Sequence, residues 1–118
     1  MDLGELMELY NEKVGALQER ITTKTQKIDA LIAEYSALPE KYVNQSKEWI
    51  EKKMAQLQAK IEEQQEKLDA WIETQKQKIE DWLKTEQQKL TDKLTEKQKQ
   101  KLEMIMKVQQ ELLKNKST

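Results

Sequence analysis

The sequence has no cysteine, no histidine and no phenylalanine, and it contains only two glycines and one proline. Without cysteine, the chain forms neither disulfides nor thiolate metal sites. Without histidine, it lacks the commonest metal ligand and general base of proteins. Nor do the remaining residues form a phosphate-binding loop or a nucleophile motif. We therefore expect no enzyme activity, no catalytic or metal-binding residues and no cofactor.

Charged residues are abundant, and the apolar residues are too few for a compact globule. Each class makes up 36% of the 118 residues, whereas typical globular domains are about one quarter charged and about half apolar. Enrichment in Lys, Glu, Gln and Leu is typical of a long helix or coiled coil. Such a helix presents an apolar stripe, and the stripe needs a partner because helix propensity alone stabilises little.

No apolar run is long enough to span a bilayer. The N-terminal sequence Met-Asp-Leu-Gly-Glu-Leu has neither the basic nor the apolar region of a signal peptide. We expect synthesis in the cytoplasm.

Residues 1–38 are predicted to form a heptad-repeat helix, beginning at about residue 3 with Asp2 as its N-cap. Lys24 occupies one position of the apolar series, where we expect its stem to pack and its ammonium group to reach water. Spacings that alternate between four and three residues indicate a left-handed coiled coil. The apolar positions are Leu3, Met7, Tyr10, Val14, Leu17, Ile21, Ile28, Leu31, Tyr35 and Leu38.

Pro39 is predicted to end the first helix and to begin the second. Proline removes a backbone donor and disfavours helical geometry at the residue before it, whereas it is well tolerated in the first turn of a helix. The joint is either a kink or a tight hairpin, and the sequence leaves both readings open.

Residues 39–118 are predicted to form a long helix, regular from about 39 to 114 and frayed at its C-terminus, with an apolar residue recurring every eleven positions. Eleven residues make three helical turns, so the repeat predicts a straight or right-handed bundle. The fold class is thus an all-α, elongated coiled coil. The predicted oligomer seam consists of Ile50, Leu57, Ile61, Leu68, Ile72, Ile79, Leu83, Leu90, Leu94, Ile105 and Leu112.

Three tryptophans, Trp49, Trp71 and Trp82, share one further position of the eleven-residue repeat. One reading is that the indoles widen the stripe and pack within the same bundle. The other is that they project outward and anchor a partner protein, a role that suits tryptophan at interfaces.

Residues 47–112 resemble a fragment of a phage tail tape-measure protein. The resemblance is carried by tryptophans at multiples of eleven in a helix rich in Lys, Glu and Gln. It implies helical oligomers inside a tail tube. The chain is far shorter than a usual tape-measure protein, so the expectation is a small virion component that lines a tail, neck or baseplate or acts as an internal scaffold.

The expected function is therefore that of a structural coiled-coil rod, a homo-oligomer of three or more strands that also contacts other structural proteins. The expected location is the virion, after synthesis in the host cytoplasm. One alternative is a cytoplasmic coiled-coil adaptor or tether, and a second is an amphipathic helix that binds a lipid surface. On the leading reading we expect no small-molecule substrate and no contact with nucleic acid or membrane.

Overall fold

The computed structural model describes the backbone of residues 1–116 and the side chains of residues 1–114. Three helices account for most of this part of the chain, which contains no β-strand. They are α1 (Leu3–Lys41, 39 residues), α2 (Lys47–Thr91, 45 residues) and α3 (Glu96–Lys116, 21 residues). The predicted all-α fold class is confirmed.

Each helix begins at a side chain that accepts a hydrogen bond from a backbone amide of the first turn. The Asp2 carboxylate accepts from Glu5 N–H at 2.8 Å, which confirms Asp2 as an N-cap. The Ser46 hydroxyl accepts from Trp49 N–H at 3.1 Å. These bonds satisfy amides that have no partner within the helix, and they place the start of α2 at residue 47 rather than at Pro39.

The predicted helix break at Pro39 is wrong, because α1 continues through Pro39 to Lys41. Near a helix end, proline removes one donor and the hydrogen-bond ladder resumes beyond it, where Tyr42 N–H donates to Leu38 C=O at 3.1 Å. Leu38 is buried, and burying a leucine side chain contributes about 1.5–3 kcal/mol. This is comparable with the cost of about 3 kcal/mol for proline in a helix interior.

The predicted long helix from about 39 to 114 is also wrong, because a turn at residues 92–95 separates α2 from α3. A reciprocal pair of contacts begins α3. The Thr95 hydroxyl accepts from Gln98 N–H at 3.4 Å, and the Gln98 side-chain carbonyl accepts from Thr95 N–H at 3.0 Å. This Thr-x-x-Gln capping box provides the start signal for a new helix.

Of the C-terminal residues expected to be frayed, the structure describes the backbone of two. The backbone of Asn115 and Lys116 belongs to α3, so these two residues are helical rather than frayed. Ser117 and Thr118 lie outside the described residues.

The chain divides into two compact units. Unit 2 comprises residues 20–71, which hold the second half of α1, the turn at 42–46 and the first half of α2. Lys24 contacts Trp71, while Leu38 and Leu57 line one groove near the turn. As the residue number rises from 24 to 38 along α1, the number of the neighbouring residue in α2 falls from 71 to 57. The two helices therefore form an antiparallel hairpin. Of the two readings of the joint, the hairpin is the one observed.

Unit 1 comprises residues 1–19 and 72–118, and in its described part three helical segments pack together. Lys13 contacts Trp82, and Met1 lies beside Leu94, so α1 and α2 are antiparallel here also. The Tyr10 hydroxyl donates to Gln109 C=O at 2.9 Å. Because Leu3 lines a groove with Leu102 in the same unit, α3 runs parallel to α1.

The core is much better covered in unit 1 than in unit 2, because a third helix closes the stripe that two helices leave open. The buried apolar side chains of unit 2 are Ile28, Leu38 and Ile61. Those of unit 1 are Leu6, Tyr10, Val14, Leu17, Ile72, Ile79, Leu83, Leu102, Met106 and Leu113.

Tyr10 joins α1 to α3 and is only 2% exposed. The pKa of its phenol is raised above the ordinary value of 10.0, first by burial and second by the negative charge of Glu80. A raised pKa in the folded state means that the stabilisation by Tyr10 is complete below pH 10 and is lost as the pH rises through the folded-state pKa.

We predict that Tyr10→Phe lowers the free energy of unfolding at pH 7 by about 0.5–1.5 kcal/mol, the usual net value of one hydrogen bond. Above pH 10 the difference from the wild type should shrink, because the variant has no phenol to ionise. Urea unfolding at both pH values measures this. Tyr35→Phe, at a half-buried tyrosine of the same helix, is the control and should keep the wild-type pH dependence. A difference independent of pH would contradict the prediction.

Candidate interaction surfaces

The predicted seam residues of α2 lie on one face of that helix, and the structure covers this face with α1 of the same chain. Eight of the predicted residues lie in α2 and Leu94 lies in the turn that follows it, and none of these nine side chains is exposed. Ile61, Ile72, Ile79 and Leu83 are buried, and Ile50, Leu57, Leu68, Leu90 and Leu94 are half-buried. The eleven-residue repeat thus identified the packing face correctly as far as residue 94. A role of these residues in joining separate chains stays a prediction.

In α3 the two remaining predicted seam residues lie outside the packing face of the single chain, where Ile105 is 36% exposed and Leu112 is 46% exposed, and their role in joining separate chains stays a prediction. The turn at 92–95 interrupts the helix. The eleven-residue spacing of α2 therefore no longer determines which side of α3 faces the core. Leu102, Met106 and Leu113 are buried there instead. Their spacing of four and seven is an ordinary helical pattern, but it was hidden because Ile105 and Leu112 continued the eleven-residue count.

Trp71 and Trp82 are each half-buried beneath a lysine of α1. The Lys24 ammonium nitrogen lies 4.7 Å from the centroid of the Trp71 ring, in unit 2. In unit 1, the Lys13 nitrogen lies 4.8 Å from the Trp82 centroid. Both distances are within the range of a cation–π interaction, which contributes about 0.5–1 kcal/mol at exposed sites.

The two lysine–tryptophan pairs repeat the same contact with an eleven-residue step. Lys13 and Lys24 are eleven residues apart in α1, as are Trp71 and Trp82 in α2. Because the helices are antiparallel, the earlier lysine meets the later tryptophan. The spacing of the lysines was therefore a readable signal for the pairing of α1 with α2. Lys24 is exposed, as expected, and its ammonium group lies over an indole.

Trp49 lies at the turn between α1 and α2 and has different partners. Its ring meets that of Tyr42 edge to face, with centroids 5.1 Å apart and an interplanar angle of 61°. Lys53, one turn further along α2, lies 5.6 Å from the Trp49 centroid. Such aromatic pairs contribute about 0.5–1.5 kcal/mol beyond area burial. This cluster fixes the turn, which contains no glycine.

Packing within the bundle fits Trp71 and Trp82, which are half-buried and each lie beneath a lysine of α1. Trp49 is also half-buried, but it contacts Tyr42 of the turn and Lys53 of its own helix. The role of Trp49, Trp71 and Trp82 as anchors for a partner stays a prediction.

Three of the open grooves on the described part of the chain run beside these contacts. The most apolar lies in unit 1, where the N-terminal residues meet the end of α2 and the start of α3. It is lined by Met1, Asp2, Leu3, Leu90, Leu94, Gln98, Lys101 and Leu102. The other two lie in unit 2, one beside Trp71 and Lys24 and one beside Trp49 and Tyr42.

Most charged groups lie on exposed faces of the helices, while the side chains of Lys76 and Glu86 are only 14% and 15% exposed. Glu63 and Lys67, one turn apart in α2, form an ion pair with 2.9 Å between the carboxylate oxygen and the ammonium nitrogen. The hydrogen bond from Lys67, followed by its positive charge, lowers the pKa of the Glu63 carboxyl. Among the side chains that the structure describes, no polar or charged residue is buried, so packing in the described interior is apolar.

Comparison with known proteins found no matching protein family, no matching curated protein and no matching solved structure. Among the described side chains of residues 1–114, no three metal-ligating groups cluster as a metal site requires. None of the described helices has the length and apolar character that a bilayer-spanning segment needs.

We predict that Lys24→Met lowers the free energy of unfolding by about 0.5–1 kcal/mol, because it keeps an apolar stem but removes the charge over Trp71. The measurement is urea denaturation followed by circular dichroism. Lys27→Met is the matched control, since Lys27 lines the same groove. In a Trp71→Leu background, Lys24→Met should have little further effect. An equal loss in both backgrounds would show that the ring contact contributes nothing.

Proposed function

We propose that this protein is a non-enzymatic structural component of a multiprotein assembly, and more specifically an internal component of a phage particle. The supporting observation is the eleven-residue repeat of α2 and its regular pairing with α1. A repeated contact of this kind builds a helical rod whose length can change in whole repeats. Within a particle, such an element would serve a tail, neck, baseplate or scaffold.

The physical character of the chain supports a structural role. Among the described side chains, no charged residue is buried, and the buried residues are hydrophobic. Binding sites for small molecules are usually concave and enclose most of their ligand, whereas the three grooves described above are open to solvent on one side. Long helical surfaces instead suit contacts with other helices.

The hairpin restricts which role within a phage particle we propose for this protein. Since α1 and α2 run antiparallel in unit 2, the chain turns back at residues 42–46. Two antiparallel helices of one chain lie side by side, so the hairpin spans about half the length that the same residues would span as one continuous helix. We therefore propose a short folded element of the particle and not a ruler formed by one continuous helix.

A cytoplasmic adaptor or tether is the main alternative, because a helical hairpin suits that role equally. The test is to purify intact particles and measure whether the protein is present in fixed stoichiometry, with helical density inside. We expect both results. Absence from purified particles would reject the virion proposal and favour the adaptor.

The repeat itself predicts which deletions the hairpin tolerates. Removing residues 24–34 together with 61–71 takes eleven residues from each helix of unit 2, so the remaining residues keep both register and helical phase. Each helix shortens by about 16 Å. We expect this variant to retain a cooperative thermal transition, as measured by circular dichroism.

The control removes only residues 24–28 and 67–71. This smaller deletion also keeps the two helices level, but it rotates everything beyond it by about 140° and turns apolar residues towards water. It should destabilise the protein more than the larger deletion does. The opposite order of stability would show that the eleven-residue phase does not govern packing.

A further inference from the structure

An exposed apolar stripe runs along α3 on the side away from its buried residues. Met104 and Val108 are 69% and 52% exposed, and Ile105 and Leu112 are 36% and 46% exposed. We call these four residues the α3 stripe. Their spacing of three and four places them on one side of the helix. Contiguous apolar patches of this kind mark interaction sites more often than isolated exposed residues do.

We propose that the α3 stripe binds the α3 stripe of a second copy of this chain, with the two helices antiparallel. This inference rests on the proposed structural function, for which it names a partner. A two-fold axis would bring the same surface of each copy together and so close the assembly at a dimer through this contact.

The charges beside the stripe favour this occupant and this direction. Lys101 lies one turn before Ile105, and Glu111 lies one turn after Val108, both on exposed positions. In an antiparallel pair centred at the level of Met106, Lys101 of each copy faces Glu111 of the other, and Met104 faces Val108. A parallel pair would place Lys101 beside Lys101, where like charges repel. Antiparallel helix dipoles also attract.

The charges beside the stripe also favour a second copy over a lipid surface as its binding partner. An amphipathic helix that binds anionic lipid carries a strongly basic polar face. α3 carries six lysines and three glutamates, but the charges that flank the stripe include Glu111, whose carboxylate an anionic surface would repel. In a second copy, Glu111 instead finds a lysine.

The first measurement is sedimentation equilibrium of the full chain over micromolar to hundreds of micromolar concentrations, the range expected for a small interface. We expect the wild type to be a dimer at the upper end. Val108→Asp should weaken the association at least about ten-fold, because it buries an unpaired charge at the contact. Its helix content, measured by circular dichroism, should be unchanged, since Val108 is exposed in the single chain.

A charge-reversal series tests the direction. Lys101→Glu and Glu111→Lys should each weaken the dimer, and the double variant should restore it, because the opposite charges again face each other. In a parallel pair the double variant would regain nothing. Glu103→Lys combined with Lys107→Glu is the matched control on the other side of α3, and it should leave the association unchanged.

Three results would overturn the proposal: a wild type that stays monomeric throughout, a double reversal that does not recover the dimer, or a control that weakens it equally. A monomer that binds phosphatidylserine-containing vesicles through Val108 would assign the stripe to a lipid surface instead. Detection of the protein in purified particles is independent of these measurements. The proposed function can therefore fail or stand separately.

Discussion

The fold depends on burial of one narrow apolar stripe that runs along α2. A polar helix with such a stripe is marginal in water by itself, because its propensity contributes little and its core residues are few. Here α1 supplies the cover within the same chain, and the two helices meet in an antiparallel arrangement. The lysine–tryptophan contacts beside the stripe add a directional preference that apolar burial lacks, since each requires a particular lysine opposite a particular ring.

The number of helices around the stripe determines how well it is buried. In unit 1, α3 closes the open side, and the core includes fully covered residues such as Leu6 and Leu83. In unit 2, only α1 and α2 contribute, so Leu57 and Leu68 remain half-exposed. Regions with few buried contacts open more readily than well-covered ones. We therefore expect amide exchange to be faster in unit 2 than around Tyr10 in unit 1.

The position of α3 also explains why its own apolar surface is divided. One side, with Leu102 and Met106, packs into unit 1, and the other side carries Met104 and Val108 into solvent. A helix needs only one apolar face to join a three-helix core. The single chain does not need the second apolar face of α3 for its fold, and for this reason we propose that this face binds a second copy of the chain.

The sequence predicts the helical class, Asp2 as the first N-cap, the packing face of α2 and the exposed position of Lys24. These follow from periodicity and local chemistry, which act within a few residues. The Thr95 and Gln98 capping box and the Ser46 cap are also local signals, but the eleven-residue repeat continues past Thr95, and Pro39 is itself a common first residue of a helix. Only the tertiary structure decided that α1 passes through Pro39, since that depends on burial of Leu38 by a distant segment. It likewise decided which face of α3 is covered, because Ile105 and Leu102 are equally apolar and only the approach of α1 and α2 distinguishes them.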